Sequence, residues 1–512
     1  NMTRLVDGNG RVTTFDYGTD PSRRLPASVT DSLGNTTSYA YNDANNPFKP
    51  SLITDPKSLI TRISYYPSGR IHTRTVGVDH AYDPDQRLVH SPGAPGFTNT
   101  FEYDAFGNLT RVTDPANQAV VHAYDANGLY KTAVTDRNGH QVQFDYYGPA
   151  DSFPVGLLKS KTVVSPLYTD NIVTRYEYNG YQQVSRTIDP MGNETVQTYD
   201  RNRKPRITTR PDGSTIEKIY DSARDLVTGA VVKEIIDPVG GRTLLDHDRM
   251  GNVTAVTDPR GYTARSGYDG RGRVITRTDA LGQTAWFEYD GTGSRTSQTD
   301  NQGNKTRFEY DAGNRPVKTI DPLGNETVTA WDANGNRVSV TDANLNVTRF
   351  EYDGLNRMTA RTTGHGTPDA RTVEYRYDEH NRMVKQIFPE GNFKTLEYDA
   401  EGNLELTVFY NAGGQEIRRV ENQYYADSRN LIKKTVVDHG KDGSGAGTVF
   451  EYDKLGRQIS QIDPAGNRVS HEYDALGNMI TTATPLGITR HEYDAAGRLV
   501  SSVTPLGEQT RY

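Results

Sequence analysis

The chain has 512 residues, with 58 Lys and Arg against 65 Asp and Glu for a formal charge of −7, and no cysteine, which excludes disulfide scaffolds and Cys-ligated metals. Only 34% of residues are hydrophobic and the mean hydropathy is −0.75, too little apolar material for one thick core of this length. The 32 tyrosines, 14 phenylalanines and 48 glycines are spread along the chain and point to strands and tight turns rather than to disorder or helices. No stretch reaches the ~18 to 20 apolar residues of a membrane helix, and the N-terminus has neither the basic nor the apolar region of an export signal.

In chain order, Asn1-Met2-Thr3-Arg4-Leu5 matches the interior of a unit that recurs as Asn108-Leu109-Thr110-Arg111-Val112, and the sequence stops at Arg511-Tyr512, where another unit would begin. The expectation is a segment of a longer polypeptide, truncated at both ends. An aromatic followed by Asp then sets a 21-residue register, the mark of a repeat architecture. It runs from Tyr82 through Tyr103 to Tyr124, and from Tyr178 through Tyr199 to Tyr220. It continues through His247, Tyr268, Tyr289, Tyr310, Trp331 and Tyr352, then from Tyr377 to Tyr398, and closes with Tyr452, Tyr473 and Tyr493, the last step being 20 residues. Irregular insertions are expected near 152–174, 222–235, 361–371, 409–420 and 438–448, within a single repeat region over 1–512. The Gly-rich run Lys441 to Gly447 has the composition of a mobile tip.

Within one unit, Phe308-Glu309-Tyr310-Asp311-Ala312-Gly313-Asn314-Arg315 is followed by Val317 to Ile320 and then by Asp321-Pro322-Leu323-Gly324-Asn325. Two short strands alternate with two turns, so each unit reads as one antiparallel hairpin and its connection. Period-2 alternation places Phe308 and Tyr310 on one face and Arg307 and Glu309 on the other. Asp accepts backbone N–H bonds in Asx-turns, Pro presets φ and Gly supplies positive φ. The structural repeat positions are therefore Tyr103, Tyr124, Tyr199, Tyr268, Tyr289, Tyr310, Trp331, Tyr352, Tyr398, Tyr452 and Tyr473 in the aromatic row. The turns add Asp269, Asp290, Asp311 and Gly313 on one side and Asp321, Pro322 and Gly324 on the other. Roughly 24 such units give ~48 strands and, at ~4.8 Å each, a sheet about 230 Å wide, which twist must curl. The fold class is all-β: repeat hairpins spiralling into a hollow β shell.

These units resemble the YD repeat of Rhs proteins and are similar to the repeats of teneurins and of the BC component of insecticidal toxin complexes. Both halves of the pattern stand here, as Tyr473-Asp474-Ala475-Leu476-Gly477-Asn478 and Ile462-Asp463-Pro464-Ala465-Gly466-Asn467. The resemblance covers nearly the whole chain. It implies a hollow shell that, in bacterial members, encloses a polymorphic C-terminal toxin for delivery, often by type VI secretion in bacterial competition. The family's Asp-Pro-x-Gly-Leu core motif, near which an aspartate-dependent self-cleavage acts, has here only Thr504-Pro505-Leu506-Gly507-Glu508 as its nearest counterpart, and no self-cleavage residue is assigned.

The repeat explains most of the polar groups. Almost all carboxylates fall in phase with it; the out-of-phase polar groups are His365 and Asp369 in one insertion, and Asp438, His439, Lys441 and Asp442 in another. No histidine pair has ligand spacing, and His471 and His491 take the place two before the repeat tyrosine where Phe is usual. Gly291-Thr292-Gly293 lies in a hairpin turn with no helix after it, which argues against a phosphate loop. The basic run Arg201 to Arg206 with Arg210 reads as a solvated turn, and the recurrent N-x-T sequons, as at Asn325, report the turn.

No catalytic, cofactor-binding or metal site is assigned. The resemblance implies that the shell is a non-enzymatic encapsulating one, secreted or at the cell surface after export of a parent protein of bacterial origin. Its expected partners are an enclosed C-terminal toxin polypeptide of the same parent chain and delivery machinery reached through an N-terminal region, with no specific nucleic acid and no membrane span. The alternative is a cell-surface adhesion or glycan-binding YD-repeat module, since exposed tyrosine rows suit sugar stacking.

Overall fold

A computed structural model describes residues 2–18, 24–168, 171–221, 231–438 and 447–512. Parts of three expected insertions, residues 169–170, 222–230 and 439–446 with His439, Lys441 and Asp442, lie outside the described residues. Among the described residues there is no helix. Forty-four strands form one antiparallel sheet, and the short strands His80–Tyr82 and Leu88–His90 make a separate hairpin.

Most successive strands pair in chain order because only a tight turn connects each to the next. Lys305–Tyr310 pairs with Pro316–Ile320, which pairs with Glu326–Trp331. Beta-branched and aromatic residues fill the strands, where a half-buried pleated surface suits them. The exposure of Lys305–Tyr310 alternates, with Phe308 and Tyr310 half-buried and Arg307 and Glu309 exposed. On the exposed face Glu309 stands opposite Lys318, which pairs with Glu326 at 3.0 Å.

The two turns of a unit share one chemistry. In the Asp321 turn, Oδ1 accepts from Leu323 N at 2.9 Å and Asn325 N at 2.8 Å, Oδ2 accepts from Asn325 Nδ2 at 2.8 Å, and Gly324 takes φ +87°. In the Asp311 turn, Oδ1 accepts from Arg315 N at 3.0 Å and Oδ2 from Arg315 Nε at 2.8 Å. The left-handed residue there is Asn314, with φ +63°, and not Gly313; asparagine tolerates that region because its short polar side chain bonds locally. The extra residue is absorbed as a bulge at the repeat tyrosine, where Glu309 faces Lys318 but Tyr310 faces Pro316.

Little apolar surface is sealed from water. Among the described residues the side chains below 2% exposure are Asp427 and Ser460, both polar, so stability rests on rows of neighbouring side chains rather than on a central core. The chain forms two compact units, each assembled from separated stretches. One contains residues 1–120, 284–397 and 407–417; the other contains 121–283, 398–406 and 418–512.

The repeat register and the sheet diverge at Tyr82. Its spacing to Tyr103 is regular, yet the strand Ile71–Val78 pairs directly with Phe97–Tyr103, and Tyr82 belongs to the hairpin that lies between them in sequence. Asp79, with φ +63°, and Gly77, with φ +70°, turn the chain out of the sheet, and the Asp79 carboxylate receives Gly93 N at 2.9 Å where it returns.

Candidate functional site

The repeat aromatics do more than pack. Tyr310 donates its hydroxyl to Arg295 O at 2.9 Å, Tyr352 to Arg337 O at 3.1 Å, Tyr268 to Val253 O at 2.7 Å, Tyr199 to Val184 O at 2.6 Å and Tyr473 to Gln458 O at 2.8 Å. Each acceptor lies 15 residues upstream, in the first strand position after the preceding tyrosine's turn. Trp331 makes the same bond with its indole, Nε1 to Pro316 O at 2.9 Å, which is the physical reason that Trp can replace Tyr in the register. Burial holds the hydroxyls of Tyr199, Tyr352 and Tyr473 above their ordinary pKa, so they remain donors.

Arginines tie the same edge together. The Arg315 guanidinium, held by Asp311, donates to Asp332 O at 2.8 Å and lies 5.8 Å from the Trp331 ring; Arg457, held by Asp453, reaches Asp474 O at 3.3 Å and lies 4.7 Å from the Tyr473 ring. Each Asp-Arg turn thus clamps the next.

The edges of the hairpin ribbon carry a second feature, which the sequence does not announce. In the unit containing residues 1–120, turns of the Asp321 type dock on turns of the Tyr-Asp type hundreds of residues later. Asn9 Nδ2 donates to Asp290 Oδ2 at 2.8 Å and to Thr292 Oγ1 at 3.1 Å, and Ser32 Oγ donates to Ala312 O at 2.7 Å. Lys57 Nζ lies 3.1 Å from Asp332 Oδ2, Asn334 Nδ2 donates to Asp55 Oδ2 at 2.9 Å, and His380 Nε2 lies 3.1 Å from Asp114 Oδ2. The docking is close: a Cβ on Gly291 would sit 2.5 Å from Gly8 O, and one on Gly313 2.7 Å from Leu33 Cδ1. Leu33 is 36% exposed under that contact, whereas Leu323 in the equivalent place of the Asp321 turn is 88% exposed.

The unit containing residues 121–283 has a seam of the same design. Asn138 Nδ2 donates to Asp399 Oδ2 at 2.9 Å, Arg137 binds Glu401, and Arg210 NH1 donates to Ala495 O at 2.7 Å. At its centre the fully buried Asp427 accepts from Ser165 Oγ at 2.9 Å and from Arg429 NH2 at 2.8 Å. Burial alone would raise the Asp427 carboxyl; the bonds from Arg429 and Ser165 outweigh it and hold the group below the ordinary value.

Both seams are keyed by a tyrosine from an irregular segment. Tyr82 donates to Asp378 O at 2.5 Å and receives Arg357 NH1 at 2.7 Å. Tyr168 donates to Tyr452 O at 2.8 Å, with Arg429 and Lys454 each 5.6 Å from its ring. A sequence signal accompanies the irregular segments: Tyr-Tyr replaces Tyr-Asp at Tyr65-Tyr66, Tyr146-Tyr147 and Tyr424-Tyr425. The second ring packs edge-on against the next repeat tyrosine, at 5.9 Å for Tyr66 with Tyr103, 6.2 Å for Tyr147 with Tyr178 and 6.1 Å for Tyr425 with Tyr452.

The polar groups singled out by phase have structural neighbours. His365 N donates to Val347 O at 2.8 Å, and the residue borders an open cleft of about 510 Å³ with Lys57, Asp332, Arg349, Phe350 and Tyr352. Asp369 is exposed in the turn between Met358–Thr363 and Arg371–Tyr377. His471 Nδ1 lies 3.3 Å from Thr482 Oγ1 and His491 Nδ1 3.2 Å from Ser502 Oγ, both across paired strands. Arg206 pairs with Glu217 at 2.9 Å and Arg203 stacks 4.5 Å from the Tyr181 ring. Among the described residues no group of three or more His, Asp or Glu is placed to hold a metal ion, and no helix is long and apolar enough to cross a membrane.

Comparison with known proteins agrees with this turn-and-tyrosine design. The family model described as teneurin YD-shell matches residues 286–511, and that described as RHS repeat matches residues 101–146. The repeats are YD repeats of the RHS and teneurin-shell kind. The crystal structure of TcdB2-TccC3-Cdc42 is similar to this YD-repeat chain with a TM-score of 0.57 at 15% identity, over 96% of this chain and 32% of that one. The crystal structure of TcdB2-TccC3 without hypervariable C-terminal region gives a TM-score of 0.59 at 15% identity, over 96% and 32%. The YD-repeat chain therefore spans about a third of the length of these chains, and shares their fold. No curated protein matches it in sequence.

Proposed function

We propose that this YD-repeat chain is a stretch of encapsulating wall that sequesters a toxic polypeptide until delivery. The observation that carries the reading is the docking of one edge of the hairpin ribbon on the other, in each unit, through seams of direct hydrogen bonds between turns. Such seams serve containment. A ribbon stabilised only by its own side-chain rows needs no second edge, whereas a barrier to a polypeptide must have no gap between its courses. The kinship with YD-shell and RHS repeats and the likeness to toxin-complex structures support the same role. The wall does no chemistry; its work is to exclude solvent and proteases from what it holds. The cargo in this reading is a C-terminal toxin of the same parent chain, the delivery machinery engages another part of that parent, and the parent is exported from a bacterium and acts in competition, with type VI secretion as one route.

The test is native and denaturing mass spectrometry of the intact parent protein purified from its source. A second polypeptide that stays bound to the repeat region under native conditions and separates on denaturation is the expected result. A parent of one unbroken chain with nothing enclosed would overturn the reading and favour a surface-binding role.

A further inference from the structure

Five asparagines precede a glycine: Asn9, Asn127, Asn138, Asn179 and Asn334. Three of them are seam residues with one shared task, donating the side-chain amide to an aspartate across the seam. Asn9 binds Asp290 at 2.8 Å and Asn334 binds Asp55 at 2.9 Å in one unit, and Asn138 binds Asp399 at 2.9 Å in the other. Asn9 is exposed, and Asn138 and Asn334 are half-buried, so water reaches each seam site.

We propose that Asn9, Asn138 and Asn334 are deamidation sites whose conversion keeps an opened seam from closing again. A glycine after asparagine leaves the backbone nitrogen least hindered, since no Cβ shields it. The Gly nitrogen gives up its proton and bonds to the Asn Cγ, the Cγ–Nδ2 bond breaks, and ammonia leaves after taking up a proton. One water then opens the five-membered imide at either carbonyl, giving aspartate or isoaspartate; the sum is one water consumed and one ammonia released, with no oxidant or reductant. The product places a carboxylate where an amide donor stood, facing an existing carboxylate at hydrogen-bond distance, and two such anions repel. IsoAsp also lengthens the turn backbone by one atom.

The closed turn guards against this step. Gly10 N donates to Asp7 O at 3.0 Å, Gly139 N to Asp136 O at 3.0 Å and Gly335 N to Asp332 O at 3.1 Å. The attacking nitrogen is thus engaged, and the amide that must leave is held by its aspartate. Conversion proceeds from an opened seam and keeps it open, a one-way record of opening. The remaining two sites are internal controls. Asn179 occupies the Asp position of its own turn, its Oδ1 accepting from Tyr181 N at 2.9 Å and Gln183 N at 3.1 Å, so aspartate there restores the usual turn residue. Asn127 is exposed in the Asp125 turn.

The experiment compares the whole chain carrying Asn9→Asp, Asn138→Asp and Asn334→Asp together with the chain carrying Asn127→Asp and Asn179→Asp. Hydrogen exchange is read by mass spectrometry on peptides covering the Gly8 and Gly291 turns and the Asn138 and Asp399 turns. The expected result is exchange faster by roughly tenfold or more in the triple variant, as the loss of one or more partially buried charge-assisted bonds implies, and native rates in the control. Should the triple variant fail to fold, wild-type chain aged at mildly alkaline pH supplies the same reading, because deamidated and amide-bearing molecules separate by mass. Native exchange in the triple variant or in the deamidated fraction of aged protein would overturn the proposal. So would intact amides at all three sites in seam-opened protein after Asn127 has converted.

Discussion

At the residue scale the repeat tyrosine is chosen for its hydroxyl as much as its ring. Tyr310 reaches Arg295 O and Trp331 reaches Pro316 O from opposite ring chemistries, so the conserved element of the design is a polar donor at the tip of an aromatic lever. Tyr310→Phe keeps the ring and removes the donor, and a destabilisation of about 1 kcal/mol is expected; Trp331→Phe should cost more, because area is lost with the bond. Local hydrogen exchange in the hairpins that flank each site is the measurement, since a loss confined to one repeat is diluted in a global melt. Phenylalanine variants that exchange at native rates would show that packing alone sets the register.

At the scale of the element, the turn is an acid-sensitive clasp. Desolvation raises the Asp290 carboxyl, but the Thr292 hydroxyl and the Asn9 amide outweigh it and bring it from the ordinary 3.8 down to about 2. Asp321 and Asp463 are also held low, first by the side-chain amides of Asn325 and Asn467 and then by turn N–H groups. A carboxyl depressed in the folded state contributes stability that is fully present above its unfolded value and is withdrawn as pH falls through its folded value. Thermal melts should therefore be flat from neutrality down to about pH 5 and fall between about pH 4 and 2; a flat profile through that window would mean that the turns form equally well around neutral aspartic acid. The seams make a second, steric prediction. Gly291 and Gly270 occupy the same turn position, but a Cβ on Gly291 would meet Gly8 O at 2.5 Å while one on Gly270 meets nothing within 4 Å. Gly291→Ala should destabilise by about 1 to 3 kcal/mol and Gly270→Ala should be close to neutral, read as the shift in denaturation midpoint.

These elements also show what a sequence can carry. The strands, the Asp-x-x-Gly turns and the tyrosine row are local: Phe308 to Asn325 contains every residue needed to form a hairpin and its connection, and the period repeats that information along the chain. The positive φ at Asn314 instead of Gly313 follows from the turn's length, and Gly313 instead lies against Leu33, some 280 residues away. No period links Asp31 to Asp311 or Asn138 to Asp399, because each partner is an ordinary turn of its own repeat. Tyr82 misleads for the opposite reason: its spacing is that of a repeat, while its hairpin leaves the sheet to key a seam. The Tyr-Tyr pairs were a legible signal of edge packing, since they break the Tyr-Asp pattern at their position, whereas the Arg four residues after the aspartate of a Tyr-Asp turn is a common residue there and marks no single repeat.

At the scale of the molecule, the side-chain hydrogen bonds described above fall into two ranges. Those of the repeat tyrosines and of turn arginines such as Arg315 reach the adjacent repeat, and those of the seams, with Tyr82, Tyr168 and Arg210 among their donors, span more than 260 residues. Neighbour-only coupling gives a one-dimensional chain that loses units singly, and the seams add long-range terms that such a chain lacks. The consequence is mechanical. A repeat peeled from a free edge releases 21 residues, roughly 70 Å of extended chain, at a small and nearly constant force, because only one hairpin yields at a time. A seam such as Ser165 with Asp427 resists in shear, with several turns loaded in parallel, and must give way as a block. Tension along the backbone would therefore meet a soft, stepwise material, and tension across the courses a stiff one. In the encapsulating role proposed above, that anisotropy would let the wall resist pressure across its courses while still yielding as a thread to a pull on one end.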